Sequence, residues 1–242
     1  MMRLDDLQNG FKIWQDPDLF CFGVDAVLLA HYPRLKKNDR ICDLGTGFAP
    51  IPLILKAEAN RFHLPVRITG LEIQDYVASI ARKSVADNGL SEEDIHIVTG
   101  DLREAASLLG AGSCSLVTCN PPYMPASAGL VGGREEKAIA RTELKCTMAD
   151  VAASAGRLLN AGGRFSLIHR PQRLVDIFLE LRKNRLEPKR LRFVHPYEDA
   201  APTMVLVEAV KDGRPYLVTE PPLVIYKKDR TYTEELLRIY GR

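Results

Sequence analysis

From about residue 40 onward, short runs of apolar and β-branched residues alternate with longer stretches whose apolar positions recur every three or four residues. That alternation predicts βαβ units around a mostly parallel sheet. Arg40 to Asp43 reads as a first strand and Ile51 to Asn60 as its helix; Val66 to Leu71 is a second strand. Tyr76 to Asn88 carries Val77, Ile80, Ala81 and Val85 on one helical stripe, and Asn88-Gly89 supplies a left-handed stop. Ile95 to Thr99 and Ser115 to Cys119 are the third and fourth strands. Leu144 to Leu159 reads as helix, ended by Gly162-Gly163, with a fifth strand from Arg164 to His169. Pro171 then opens a helix with Leu174, Ile177, Phe178 and Leu181 at helical spacing. Arg190 to His195 and Thr203 to Val210 complete the strands, and their short connection suits an antiparallel pair.

The expected fold is therefore α/β: one doubly wound, mostly parallel, Rossmann-like seven-stranded sheet with an antiparallel last strand. A single domain over 1–242 is predicted. Residues 1–35 hold one helix-like run, Val24 to His31, too little for a second domain, and form an N-terminal segment over the cofactor side of the sheet. Residues 124–142, rich in Ala and Gly without periodicity, read as a substrate-side lid, since so long a connection in a compact domain is usually mobile or functional.

Composition adds exclusions more than assignments. Apolar residues make up 46% and charged residues 26%, and no long uncharged apolar run exists to span a bilayer, so a membrane role is not expected. The N-terminus meets acids before any apolar run, which argues against a signal peptide and for the cytoplasm. Five cysteines without a C-x-x-C pair speak against a disulfide framework or a zinc site, so no metal is expected. Net charge is only +2, but Arg182, Lys183, Arg185, Lys189, Arg190 and Arg192 crowd one segment against Glu187. That run reads either as a solvated helix end or as a phosphate-contacting patch.

The chemistry gathers where strands end. Asp43-Leu-Gly45-Thr-Gly47 follows a strand and opens a helix, so its backbone can approach a ligand closely. A dinucleotide site would need a small third residue at position 50 behind the pyrophosphate; Pro50 stands there, and S-adenosylmethionine fits better than NAD. Glu72, in Gly70-Leu-Glu72-Ile73, ends the second strand, where a carboxylate accepts ribose hydroxyls. Asp101, in Gly100-Asp101-Leu102, ends the third, where it can accept from an adenine amine. Asn120-Pro121-Pro122-Tyr123 ends the fourth. An aromatic amine is a poor nucleophile because its lone pair is delocalised into the ring. Two acceptors on its hydrogens, Asn120 Oδ1 and the Pro121 carbonyl, localise that pair toward an incoming methyl. Pro122 stiffens the turn, and Tyr123 can stack on the base for about 1–3 kcal/mol. Catalysis is then positioning and electrostatics, with no general base required.

D-L-G-T-G, the acid after strand two, G-D-L and N-P-P-Y in this order resemble the class I, amino-type methyltransferases over roughly residues 20 to 210. Within that class, Phe22-Gly23-Val24-Asp25-Ala26-Val27-Leu28-Leu29 and Val194-His195-Pro196 look like the bacterial tRNA(Val) adenine-N6 methyltransferases acting at position 37. The resemblance implies S-adenosylmethionine as cofactor and tRNA as partner. It implies that Phe22, Gly23, Val24 and Asp25 pack near the methionine end of the cofactor, with Asp43, Gly45, Gly47, Glu72, Ile73, Asp101, Leu102 and Asn120 completing that site. It places Arg141, in Ala140-Arg141-Thr142-Glu143, near substrate, and Lys189, Arg190 and Arg192 suit an RNA backbone.

N-P-P-Y also serves glutamine amides, guanine N2 and DNA adenine, and those targets stay open. The first of these enzymes carries a separate N-terminal helical domain and the last a target-recognition domain, and this chain has little room for either. A nucleotide-binding protein without catalysis and an NAD-dependent oxidoreductase are the rivals from other classes.

Overall fold

The structure, a computed structural model, describes residues 2–8, 10–121 and 146–241. Pro122, Tyr123, Arg141 and the expected lid at 124–142 lie outside the described residues.

The chain opens with an antiparallel hairpin, β1 (Arg3–Gln8) and β2 (Phe11–Gln15), followed by α1 (Val24–His31). The hairpin packs on α3 (Asp75–Asp87): Trp14 donates its backbone N–H to Ser84 and its indole N–H to Asp87. At the same contact Asn88 exchanges two hydrogen bonds with the Lys12 backbone.

The sheet then builds through β3 (Arg40–Leu44), α2 (Pro50–Arg61), β4 (Arg67–Glu72), α3, β5 (Ile95–Thr99), α4 (Ala105–Leu109) and β6 (Cys114–Cys119). It continues with α5 (Met148–Leu158), β7 (Leu159–His169), α6 (Leu174–Lys183), β8 (Leu186–His195) and β9 (Met204–Lys211). Two-residue strands β10 (Val218–Thr219) and β11 (Leu223–Val224) pair along β8, and α7 (Glu234–Ile239) closes the chain. The long strands run in the order β5-β4-β3-β6-β7-β9-β8, parallel except for β9, which is antiparallel to both neighbours. The seven expected strands, the last of them in sequence antiparallel, are therefore present, with β10 and β11 as additions.

Parallel strands buried on both faces carry near-continuous apolar runs, and here the alternation divides them between two cores. Ile41, Ile68, Ile95, Leu116 and Ile168 pack against α1, α2 and α3; Cys42, Val117, Phe165 and Leu167 pack against α5 and α6. Phe165 is wholly buried and is among the largest side chains of the interior.

Two local expectations need correction. Gly162-Gly163 do not end a helix: α5 stops at Leu158 and the glycines lie inside β7. The pairing with β6 slips from Leu159 to Arg164, and Gly162 takes a left-handed φ of 74° at that bulge. The basic run closes a helix only at its start. Arg182 and Lys183 end α6, but Lys189, Arg190 and Arg192 belong to β8.

Candidate functional site

Chain order reverses between β3 and β6, and ligands in such sheets bind outside the carboxyl ends of strands at that switch point. Asp43 and Asn120 flank it: Leu44 pairs with Cys119 in register, so the turn after β3 and the residue after β6 emerge side by side.

The turn after β3 is shaped by backbone. Gly45 and Thr46 both donate N–H to the Leu71 carbonyl, at 2.9 and 3.0 Å, which folds the turn back over the end of β4. Gly45 and Gly47 have φ of 69° and 57°, a region costly for residues with a Cβ, and the space beside each is open. Ala49 shares that conformation and caps α2, whose first residue is Pro50. Beneath, a Cβ on Gly70 would meet Thr46 Cγ2 at 2.8 Å and Ile97 Cδ1 at 2.9 Å, so one of them would have to shift.

The acids behave differently from one another. Asp43 is buried at 1% exposure and accepts from the Thr118 hydroxyl at 2.6 Å through one oxygen. Its other oxygen and Thr46 Oγ1 are buried with no full hydrogen bond, although Thr46 stands near enough to favour the ionised carboxyl slightly. Burial dominates and raises the Asp43 pKa to about 7, against the lowering by Thr118. Glu72, also buried, accepts from Gly47 N–H at 3.0 Å and Gln74 N–H at 2.9 Å, one on each oxygen. Each oxygen keeps a further lone pair for a ligand hydroxyl. Asp101 caps the turn at Leu102 by accepting from Arg103 N–H, and the Arg103 guanidinium holds its carboxyl below the usual range. Ile73 stands exposed beside Glu72, and Leu102 is half-buried beside Asp101.

Residues 16–25 connect two ends of this edge. Tyr76, at the start of α3, donates its hydroxyl to Asp16 at 2.9 Å. Gln15, almost wholly buried, accepts from Phe22 N–H at 2.9 Å and donates to Asp5. Gly23 caps α1, Val24 opens it, and Asp25 accepts from Asn120 Nδ2 at 3.1 Å. Pro121 is buried directly after.

An adenosyl cofactor fits these residues: an open glycine cradle, two buried polar atoms at Asp43 and Thr46 in want of partners, and spare lone pairs on Glu72. Among the described residues no cluster of His, Cys, Asp and Glu suits a metal ion, and no helix is long and apolar enough to cross a membrane.

The basic residues stand away from Asn120, on and beside the outer strand β8. Arg190 pairs with Glu208 at 3.0 Å and Glu220 at 2.8 Å, and lies over the Tyr32 ring. Arg192 pairs with Glu235, and Lys189 donates to the Arg214 carbonyl. The open phosphate-contacting patch expected of Arg190 and Arg192 is thus replaced by half-buried ion pairs that tie β8 to its neighbours. Arg182, Lys183 and Arg185 are more exposed, each beside one acid. His195 meets the Ala200 carbonyl at 2.7 Å, a contact that closes the turn after β8. Sequence reasoning missed Gln15, Thr46, Tyr76 and Thr118; the partners of Tyr76 and Thr118 lie 60 and 75 positions away, too far along the chain to be read.

No family model matches the chain. It is 25% identical over 201 residues to a tRNA1(Val) (adenine(37)-N6)-methyltransferase of Parabacteroides distasonis, covering 82% of this chain and 80% of that one. To the protein of the same name from Erwinia tasmaniensis it is 30% identical over 165 residues, covering 66% of this chain and 64% of that one. Among solved structures it resembles a predicted O-methyltransferase from Agrobacterium tumefaciens, with a TM-score of 0.70 at 24% identity, covering 90% of this chain and 95% of that one. A geranyl diphosphate C-methyltransferase from Streptomyces coelicolor A3(2) gives a TM-score of 0.57 at 14% identity, covering 78% of this chain and 80% of that one. The chain has the Rossmann-like fold of the class I methyltransferases.

Proposed function

We propose that this protein methylates N6 of an adenine in tRNA, at position 37 beside the anticodon, with S-adenosylmethionine as donor. The observation that carries the reading is Asn120: it stands at the end of β6 beside the Asp43 to Gly47 turn, with its amide nitrogen committed to Asp25. The relatives named for this reaction at 25% and 30% identity support the base and the position.

Asp43, Gly45, Thr46, Gly47 and Glu72 would hold the cofactor, with Asp101, Ile73 and Leu102 on the adenine side. The cofactor would supply an electrophilic methyl group, the bond from sulfur to that methyl breaking to leave S-adenosylhomocysteine. Asn120 Oδ1 and the Pro121 carbonyl accept the two hydrogens of the substrate amine, which localises its lone pair and orients it. Neither group takes a proton; once the nitrogen carries the methyl group its excess proton passes to water. Position 37 lies in a loop, so presenting its base breaks little pairing. Exposed Arg182, Lys183 and Arg185 meet RNA backbone more readily than the ion-paired Arg190 and Arg192, because exchanging a surface pair for a phosphate costs little. Pro122, Tyr123 and Arg141 complete the substrate side as the resemblance implies.

The test is transfer of labelled methyl from S-adenosylmethionine to unmodified tRNA. Asn120→Ala should lower the rate by about 10²–10³-fold, as loss of one transition-state hydrogen-bonding group does elsewhere. Unchanged activity in that variant refutes the chemistry.

A further inference from the structure

Asn120 can serve an amine only if its amide points the right way. The two ends of a carboxamide are nearly equal in size, so sterics alone select neither. With Oδ1 outward it accepts from the substrate amine; with Nδ2 outward it sets donor against donor. The choice must come from a neighbour.

Asp25 is that neighbour. A carboxylate offers only acceptors, so the end of Asn120 that faces it must be the NH₂ group. The contact is Asn120 Nδ2 to Asp25 Oδ2 at 3.1 Å. The carboxylate is itself held: Asp25 is 8% exposed, and its Oδ1 accepts from Ala26 N–H at 2.9 Å. Gly23 leaves the room for that rotamer, because a Cβ there would stand 3.0 Å from Asp25 Oδ1. Upstream, Gln15 anchors the Phe22 backbone, so the approach to Asp25 is tied to the N-terminal hairpin.

We propose that Asp25 is the positioning residue of Asn120: by accepting from Nδ2 it holds the amide with Oδ1 toward the substrate amine. The resemblance assigns the segment around Asp25 to the methionine end of the cofactor; the geometry gives this side chain a separate task. The inference rests on the role proposed above for Asn120.

The isosteric variant Asp25→Asn discriminates. Its Oδ1 continues to accept from Ala26 N–H, so α1 keeps its start and the fold is preserved. Its NH₂ group then faces the NH₂ group of Asn120, and Asn120 turns over. A residue that merely packs would tolerate Asp25→Asn better than Asp25→Ala; a positioning residue makes Asp25→Asn at least as harmful. We expect kcat to fall about 10–100-fold in Asp25→Asn, the range for losing a hydrogen bond to a charged group. KM for tRNA and Kd for S-adenosylhomocysteine should stay within about threefold of the parent protein. Combined with Asn120→Ala, the substitution should add nothing, because both act through one amide. Full activity in Asp25→Asn, a loss confined to cofactor Kd, or additivity in the double variant would overturn the proposal.

A second readout needs no substrate. The Asn120 side-chain amide resonance in a ¹⁵N spectrum, identified by its loss in Asn120→Ala, should move in Asp25→Asn; an unmoved resonance also overturns the proposal. Should the parent protein transfer no methyl to tRNA, the functional reading falls, and this resonance still decides what Asp25 does.

Discussion

Replacing Asp43 by asparagine removes one buried titration and leaves nearly everything else in place. The amide in Asp43→Asn keeps an acceptor for the Thr118 hydroxyl and nearly the same volume, so the perturbation is the charge. In the folded protein the Asp43 carboxyl holds its proton up to about pH 7, against an ordinary value of 3.8, chiefly because burial penalises the ionised form. At about 1.4 kcal/mol per pH unit that separation amounts to about 4 kcal/mol. The sign follows from proton counting. Between the two values the folded state binds the proton and the unfolded state does not, so the contribution is fully present below about pH 4 and is lost as pH rises through 7. The parent protein therefore loses stability relative to Asp43→Asn by about 2 kcal/mol between pH 5 and pH 7, and the difference is flat above pH 8. Urea unfolding of both proteins across that range measures it, provided the two have equal m values. His169, whose pKa burial lowers to about 4, destabilises both proteins alike as pH falls below 6.5 and drops out of the difference. A difference that stays constant from pH 5 to 8 would refute the buried, unsatisfied carboxyl as described.

Three further substitutions probe the frame of the site. Gly70→Ala forces a Cβ against Thr46 and Ile97, and should cost about 1–3 kcal/mol in urea unfolding while weakening S-adenosylhomocysteine binding in calorimetry. Phe165→Ala empties the core between the sheet and α5, and should cost about 3–5 kcal/mol with cofactor affinity retained at temperatures where it stays folded. Arg164→Met leaves the carboxylate of Asp39, 2.7 Å away, buried without its cation, and should cost about 3–5 kcal/mol; a loss under 1 kcal/mol would show that Lys36 N–H and the Ser115 hydroxyl suffice.

The parallel half of the sheet was legible because its signals are local. Each of β3 to β6 is an apolar run bounded by turn residues, and Ile95–Thr99 matches its expected bounds. The hairpin at Arg3–Gln15 was missed although Asn9-Gly10 is a strong turn signal, because the charged flanks Asp5, Asp6 and Lys12 mask the alternation of Leu4, Phe11 and Ile13. The glycine pair at 162–163 was misread because a bulge and a helix stop require the same left-handed residue. Of the site, the strand-end acids were visible as motifs. The distant contacts were not, since Thr118 reaches Asp43 across 75 positions and Asn120 reaches Asp25 across 95. The basic run misled for the same reason: Glu208, Glu220 and Glu235, which neutralise Arg190 and Arg192, are close only after folding.

The central claim is the methylated atom. Unmodified tRNA incubated with the protein and S-adenosylmethionine, then digested and mapped by mass spectrometry, reads it directly. The account predicts one new N6-methyladenosine at position 37, absent when Asn120→Ala replaces the parent protein. A methyl group on a ribose oxygen, on a ring nitrogen or on guanine, or no methylated nucleoside at all, would contradict it.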